Sequence, residues 1–242
     1  MTALLVLDAS GAAVSVGLVA LPGGEVLASD SLILQRGQVE ALLPMVAEVR
    51  ARAGIGFPDL AAVAATVGPG SFTGIRLGLA AARGIGLAAG RPVFGVGSFD
   101  AHREAVLAAA PDHPGPLLVL LDSKRHDVFA QAFNAGGAAL TSPQVLSPEA
   151  VRALAERVTA DEPGPLMVAG DAAALPSLDG LALTRGPGGP LPIAAVAACA
   201  VRQWQAGGAE LPPASPLYLR PPDAVVPQGG GVLPHLRGPG GA

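Results

Sequence analysis

The sequence predicts an α/β protein that consists of two similar units, each a mixed β-sheet with flanking helices. Short apolar or alternating runs, typical of strands, are interspersed with longer segments whose apolar residues recur at helical spacing. The run LLVLLD at residues 117–122 also nearly repeats the run ALLVLD at residues 3–8. In both copies the next strand begins six residues after the final Asp, at Val14 and Val128. The shared Asp and the equal spacing favour a duplicated unit.

The first unit is predicted to extend over residues 1–112. Its first three strands are separated by Gly-containing turns, which favours a meander. Residues 38–53 carry apolar side chains at helical spacing, whereas the continuous apolar run AAVAATV at 61–67 is typical of a buried strand. The predicted elements are strands at 3–8, 13–20, 25–34, 61–67 and 92–96 and helices at 38–53, 75–89 and 99–110.

The second unit is predicted over residues 113–220. The Pro- and Gly-containing stretch at 111–116 has turn composition and marks the boundary. Residues 221–242 contain no periodic pattern, and half of them are Gly or Pro, which predicts a flexible tail. The predicted elements are strands at 117–122, from 128, at 137–146 and at 166–169, and helices at 148–158 and 191–205.

Composition and charge exclude several classes of protein. Half of the residues are hydrophobic, so the chain can bury a core. Fifteen cationic and nineteen anionic residues give a net charge of −4, without the basic patch expected of a nucleic-acid binder acting alone. The single cysteine, Cys199, excludes an intramolecular disulfide. No signal peptide or membrane span is indicated, and the composition predicts a cytoplasmic protein.

The most distinctive motif is Gly68-Pro-Gly-Ser-Phe-Thr-Gly74, between a predicted buried strand and a helix. Backbone amides and the helix dipole can hold an anion at such a position. The loop has no lysine, which excludes a Walker A motif, and Thr73 stands where a dinucleotide fingerprint needs a third glycine. The alternative is a tight turn in which Ser71 or Thr73 caps the helix. Both interpretations stay open, with the cap favoured.

Polar residues at the ends of the two repeated strands are weak candidates for a nucleotide site. Asp8 and Ser10 follow the first strand, and Asp122 ends its counterpart in the second unit. Such residues can meet phosphates or Mg²⁺, but they also form ordinary Asx and Ser turns, which we favour. The four histidines are scattered without a metal-ligating pair, and Ser71 and Ser98 show no recognisable catalytic partners. The residues themselves therefore indicate no catalytic or metal site.

Two helices are candidates for a partner interface. The segments 38–53 and 75–89 are rich in small apolar residues, and small side chains let helices approach closely. Each single residue is more readily explained as core. Together, however, two nearly all-apolar helices exceed what one sheet face can cover, so core packing and a helical interface both remain open.

The run from Gly68 to Gly78 closely resembles the signature of the TsaB family, also called YeaZ. The resemblance extends over residues 1–220. Supporting pieces occur in the same order: Leu5–Asp8 with Ser10, Glu40 with Leu42–Pro44, Gly95–Ser98, Asp122 before a strand, and Pro216–Arg220.

The resemblance implies a fold, a role and partners. The fold is the Gcp-like, duplicated one of actin, Hsp70 and sugar kinases (the ASKHA fold). The role is that of a non-catalytic subunit that binds and activates TsaD, which attaches threonylcarbamoyl to N6 of adenosine 37 in tRNA. The ATPase TsaE would join the pair, and the isolated chain would form homodimers through the same helices. Contact with tRNA would be indirect, through the complex, and no membrane would be involved.

On this template the two helices supply the partner interface, with no catalytic residue, metal or required cofactor. The implied interface residues are Val39, Leu42, Leu43, Val46, Val49, Arg76, Leu79, Ala82 and Arg83. The sequence departs from the family at Ala9, where Thr is frequent, and at Gln38, where His is frequent. Both changes remove a polar group near a nucleotide cleft, so at most weak ATP binding is expected. The alternatives are a nucleotide-dependent kinase or ATPase of the same fold and a metalloprotease, an old label for relatives.

Overall fold

The first unit contains a five-stranded mixed sheet. The structure, a computed structural model, describes residues 2–34 and 36–220. The elements in order are β1 (Thr2–Asp8), β2 (Ala13–Leu21), β3 (Val26–Ile33), α1 (Gln38–Ala53), β4 (Leu60–Gly68), α2 (Phe72–Ala89), β5 (Val93–Gly97) and α3 (Ser98–Ala109). The strand order is β3-β2-β1-β4-β5, in which β1, β2 and β3 pair antiparallel and β1, β4 and β5 pair parallel.

The second unit repeats this topology. Its elements are β6 (Leu117–Asp122), β7 (Val128–Phe133), β8 (Gln144–Leu146), α4 (Pro148–Asp161), β9 (Leu166–Ala169), β10 (Leu183–Arg185) and α5 (Ile193–Gly207). The sheet order is β10-β9-β6-β7-β8, which is the first sheet's order with β6 in the place of β1. The β1–β2 and β6–β7 hairpins also correspond, because the last pair of each is formed by an aspartate: Asp8 lies opposite Ser15, and Asp122 lies opposite Val128. The predicted α/β fold of two duplicated units is confirmed.

Strand β1 forms the centre of the core because both of its faces are covered. Its alternating side chains divide between two apolar clusters: Leu5 and Leu7 pack with α1 and α2, whereas Leu4 and Val6 pack with α3 and α5. All four are fully buried. Burial of each such side chain stabilises the fold by about 1.5–3 kcal/mol relative to exposure, which explains why this strand is a continuous apolar run.

The last helix crosses back to the first unit. The predicted boundary near residue 113 assigns this helix to the second unit, but Val196 and Ala200 of α5 are buried in the cluster beneath β1. The second unit's remaining helix, α4, covers one face of its own sheet. Helix α5 therefore follows the predicted boundary in the sequence but packs on the first sheet, since periodicity identifies a helix but not the sheet on which it packs.

Three predicted boundaries differ from the structure or lie outside it. The strand predicted at 137–146 is reduced to β8, because the amide of Gly137 closes a turn onto the carbonyl oxygen of Asn134 at 2.9 Å. Helix α2 begins at Phe72, before the predicted residue 75. The predicted tail at 221–242 lies outside the described residues. None of the helices described in residues 2–34 and 36–220 has the length and apolar character needed to cross a membrane.

Candidate functional site

The signature loop begins helix α2. The Ser71 hydroxyl accepts a hydrogen bond from the amide of Gly74 at 3.2 Å, which is the geometry of an N-cap. The capping prediction is therefore confirmed for Ser71. The cap satisfies one of the unpaired amides of the first turn and explains why the helix starts earlier than its apolar pattern.

Glycines in the same loop allow two backbone segments to touch. The amide of Ser71 donates to the carbonyl oxygen of Ser10 at 2.7 Å, which joins the loop to the turn between β1 and β2. A Cβ on Gly70 would overlap that carbonyl oxygen, and a Cβ on Gly74 would overlap the carbonyl oxygen of Ala9. The glycines of the signature thus serve close packing of the loop on the β1–β2 turn.

Asp8 lies inside the protein as part of this turn. Its carboxylate oxygen Oδ1 accepts hydrogen bonds from the amide and hydroxyl of Ser10, at 2.9 and 2.7 Å, and from the Thr66 hydroxyl at 2.6 Å. Only 1% of the residue is exposed. Buried carboxylates need such partners, and three donors on one oxygen tie β1 to β4. These contacts support the turn interpretation of Asp8.

Asp122 occupies the equivalent position in the second unit and is more open. Its carboxylate accepts hydrogen bonds from the amide and the Nζ of Lys124, both at 2.6 Å. Partial burial acts to raise the pKa of Asp122, but the hydrogen bonds and charge of Lys124 outweigh it and hold the pKa below its ordinary value. Asp171, which accepts the amide of Asp122 at 2.8 Å, has a pKa raised by burial.

The cleft between the two units brings Ser10 and Asp122 together. Both line a cavity of about 20 Å³, the scale of a single water molecule. His102 also lines it, and burial lowers the pKa of His102 to about 4, against the opposing effect of the Asp8 charge. The hydroxyl of Ser98 borders the same cavity and has no hydrogen-bond partner among the described residues. The cleft is thus polar but narrow.

Sequence reasoning missed a second cavity, of about 470 Å³, beside this cleft. It lies between the signature loop with the start of α2, the turn after β6, and the segment that follows α5. The lining residues are 69–73, Arg76, 123–125, Phe129 and 217–220. One indication was available: the only lysine and the only tyrosine of the chain, Lys124 and Tyr218, both belong to its wall.

The nine residues predicted for a partner interface divide into two groups. Val39 and Leu43 of α1 are 61% and 56% exposed, and Arg76 and Arg83 of α2 are also exposed. The remaining five residues are buried against the first sheet, which supports the alternative of core packing for them: Leu42, Val46, Val49, Leu79 and Ala82. Periodicity reveals an apolar face on each helix, but that face covers the sheet.

The described residues offer little to a metal ion. Within residues 2–34 and 36–220, no three His, Cys, Asp or Glu side chains gather in an arrangement suited to a metal. Cys199 is buried in α5, and burial raises the pKa of its thiol to about 12.

Comparison with known proteins shows similarity to proteins described as tRNA N6-adenosine threonylcarbamoyltransferases. A family model described as TsaD, tRNA N6-adenosine threonylcarbamoyltransferase, matches residues 32–174. An uncharacterized protein of Mycobacterium leprae is 34% identical over 226 residues, which is 93% of this chain and 56% of that protein. A tRNA N6-adenosine threonylcarbamoyltransferase of Novosphingobium aromaticivorans is 36% identical over 135 residues, 52% of this chain and 38% of the enzyme. The chain thus spans 56% and 38% of the length of these two relatives.

A solved structure resembles the whole fold. It is an uncharacterized Pseudomonas aeruginosa protein described as similar to peptidase YeaZ, with a TM-score of 0.74 and 25% identity. The similarity covers 91% of this chain and 100% of that one. The family model, which matches more than half of the chain, and this full-length structural match lead to one conclusion. The chain belongs to the TsaB (YeaZ) family, as its signature predicts.

Proposed function

We propose that the chain is the non-catalytic subunit of a tRNA adenosine N6-threonylcarbamoyltransferase complex, in which it binds and activates the catalytic TsaD subunit. The match to a family model described as tRNA N6-adenosine threonylcarbamoyltransferase supports the choice of this reaction. The observation that carries the binding role is a set of exposed apolar side chains on α1 and α2. Val39, Leu43 and Leu87 are 61%, 56% and 87% exposed.

The spacing of these residues gives each helix a contact row. Val39 and Leu43 are four residues apart on α1, and Arg83 and Leu87 are four residues apart on α2, so each pair shares one face of its helix. We call these four residues the α1–α2 face. The neighbouring residues Leu42 and Ala82, about 100° further round their helices, are fully buried against the first sheet. Large exposed aliphatic side chains without a partner are typical of interaction sites.

The hydrogen bonds of Asp8 support a subunit without its own active site. A nucleotide-dependent kinase or ATPase of this fold would need acidic and hydroxyl ligands facing phosphates from both units. Here one carboxylate oxygen of Asp8 is engaged by Ser10 and Thr66 inside the protein. We therefore place the role of the chain in binding: contacts that favour the active conformation of TsaD shift its population towards that state.

The rest of the proposed assembly follows from the same role. TsaE would join the TsaD complex, the isolated chain would form a homodimer through the α1–α2 face, and tRNA would be contacted through the assembled complex. The working compartment would be the cytoplasm. A homodimer that uses the same face competes with TsaD, so adding TsaD to the isolated chain should convert the homodimer into a heterodimer.

The test is a charge substitution on the proposed face. Leu43→Asp should weaken TsaD binding by about a hundredfold or more, because burial of the leucine is lost and a carboxylate must be desolvated. The matched control is Leu140→Asp, which changes a 37% exposed leucine of the second unit. Binding is measured by co-purification and titration, with circular dichroism to verify folding. Normal TsaD binding by folded Leu43→Asp protein would contradict the proposed face.

A further inference from the structure

The segment that follows α5 is fixed to the first unit where it begins. We call residues 213–220 the strap. The amide of Ala214 donates to the carbonyl oxygen of Val93 in the edge strand β5 at 3.0 Å, and the Arg83 guanidinium of α2 donates to the carbonyl oxygen of Ala214 at 2.7 Å. Ala214 is also buried in the apolar cluster formed with α1 and α2. The start of the strap is therefore part of the core of the first unit.

The middle of the strap contacts the end of β4 and the start of α2. The amide of Leu217 donates to the carbonyl oxygen of Val67 in β4 at 2.7 Å. The Tyr218 hydroxyl accepts a hydrogen bond from Nε of Arg76 at 2.9 Å, and the centroid of its ring lies 5.3 Å from that of the Phe72 ring. Backbone and side-chain contacts thus hold the strap against both elements that flank the signature loop.

The end of the strap contacts the second unit. Leu219 packs on an apolar cluster that includes residues of β6, β7 and β9. The Arg220 guanidinium forms an ion pair with the carboxylate of Asp127, which precedes β7, and the Ser123 hydroxyl donates to the same carboxylate at 2.5 Å. The two charged side chains are only 26% and 16% exposed. Because charges that are partly shielded from water attract each other more strongly than charges on an open surface, this ion pair attaches the strap to the second unit.

A second attachment between the units comes from α3. This helix packs on the first sheet, whereas its Phe99 and Val106 belong to the cluster that includes β6, β7 and β9. Ser98 and His102 of α3 line the small cavity of the cleft, and strap residues 217–220 line the large one. The two attachments thus lie at different parts of the cleft. Two separate attachments restrict rotation of one unit against the other, whereas one attachment alone leaves a hinge.

We propose that the strap fixes the two units in one relative orientation, with the ion pair between Arg220 and Asp127 as its attachment to the second unit. When this attachment is lost, the second unit turns about the contacts of α3, and the width of the cleft varies. This role is separate from TsaD binding, because Arg220 and Asp127 lie outside the α1–α2 face. Arg83 belongs both to that face and to the contacts of the strap, so the test leaves it unchanged.

The distance between the units can be measured by pulsed electron paramagnetic resonance. Spin labels are attached to Glu25→Cys, in the turn between β2 and β3, and to Arg157→Cys on α4, because both residues are exposed. Cys199 is buried, and mass spectrometry verifies that only two labels are attached. The labelled full-length protein is diluted with unlabelled protein, so that distances within one chain are measured. We expect one narrow distance distribution.

Two substitutions loosen the strap at different places. Arg220→Ala removes the ion pair, and Leu217→Pro removes the amide that donates to Val67. Each should about double the width of the distance distribution or add a second distance, because the second unit is then free to turn. Arg220→Lys keeps the charge and should retain the narrow distribution. The matched control Arg202→Ala removes an ion pair with Glu104 within the first unit, at 2.8 Å, and should leave the distribution unchanged.

The possible outcomes separate the strap from general loosening and from the proposed function. Circular dichroism verifies that each variant is folded, and Asp127→Asn replaces Arg220→Ala if that variant is not. An unchanged narrow distribution in folded Arg220→Ala and Leu217→Pro proteins would overturn the proposal, and so would a broad distribution in the unsubstituted chain. Equal broadening by Arg202→Ala would show that any lost ion pair loosens the protein. TsaD binding by Arg220→Ala should stay within about twofold of the unsubstituted chain, since the α1–α2 face is intact.

Discussion

Two glycines of helix α2 should respond in opposite ways to the same substitution. Gly74 lies in the signature loop, where a Cβ would overlap the carbonyl oxygen of Ala9. Gly84 lies about three turns later on the exposed side of the helix, where a Cβ would meet no atom within 4 Å. Both residues have helical backbone, so Gly74→Ala and Gly84→Ala differ chiefly in what the new methyl group meets.

The expected magnitudes follow from these surroundings. Overpacking costs about 1–3 kcal/mol. Here the new Cβ is fixed to the helix backbone and would overlap a backbone carbonyl oxygen, so the helix start or the β1–β2 turn must move. That movement also weakens the hydrogen bond from Ser71 to Ser10, worth about 1 kcal/mol. Even after the gain in helix propensity of up to about 1 kcal/mol, Gly74→Ala should destabilise the protein by about 2 kcal/mol or more. Gly84→Ala should stabilise it by about 0.5–1 kcal/mol.

The assay is urea unfolding, followed by circular dichroism and by the fluorescence of Trp204. Trp204 lies in α5 and stacks on Phe94 of β5, so its signal reports the packing of the first unit. The free energies of unfolding of wild type and both variants are compared at a common slope against urea concentration. A Gly74→Ala protein as stable as wild type would refute the role of this glycine in close backbone packing.

Three further predictions concern buried polar groups. Thr66→Val should lower the free energy of unfolding by about 1–3 kcal/mol, because Asp8 loses a buried donor; urea titration measures this, and an unchanged midpoint would contradict it. The pKa of His102 is about 4 in the folded protein and 6.5 ordinarily, so the unfolded chain takes up the proton first. This difference contributes about 3 kcal/mol to the free energy of unfolding above pH 6.5, and the contribution should be lost as the pH falls from 6.5 to 4. His102→Phe should remove this pH dependence of stability, and an unaltered pH profile in the variant would contradict the role of His102. The Cys199 thiol, whose pKa burial raises to about 12, should react with a thiol reagent at about pH 8 only after unfolding; rapid reaction of the native protein would contradict its burial.

The sheets were predictable because their central strands are continuous apolar runs. The repeat of ALLVLD as LLVLLD identified β1 and β6 as equivalent, and both end in an aspartate that closes a turn. The cap at Ser71 was predictable for a similar reason, since a serine before a helical pattern has a specific local role. Each strand, turn and cap named here is determined by residues that lie close to it in the sequence.

The features that were missed depend on distant residues. The apolar pattern of α1 and α2 does not reveal which side faces the sheet, so Leu42 and Ala82 were predicted as interface residues although they are core. The cavity of about 470 Å³ is formed by contacts such as that between Arg76 and Tyr218, which are 142 residues apart. No local pattern predicts that these two side chains meet. The crossing of α5 to the first sheet is a long-range feature of the same kind.

The most direct test of the proposed function is reconstitution of the tRNA modification. Purified TsaD, TsaE and the enzyme that supplies threonylcarbamoyl-adenylate are incubated with tRNA, with and without this chain, and modified adenosine is quantified. We expect product only when the chain is present, and little product when Leu43→Asp protein replaces it. Equal product formation without the chain would contradict the proposed activating role.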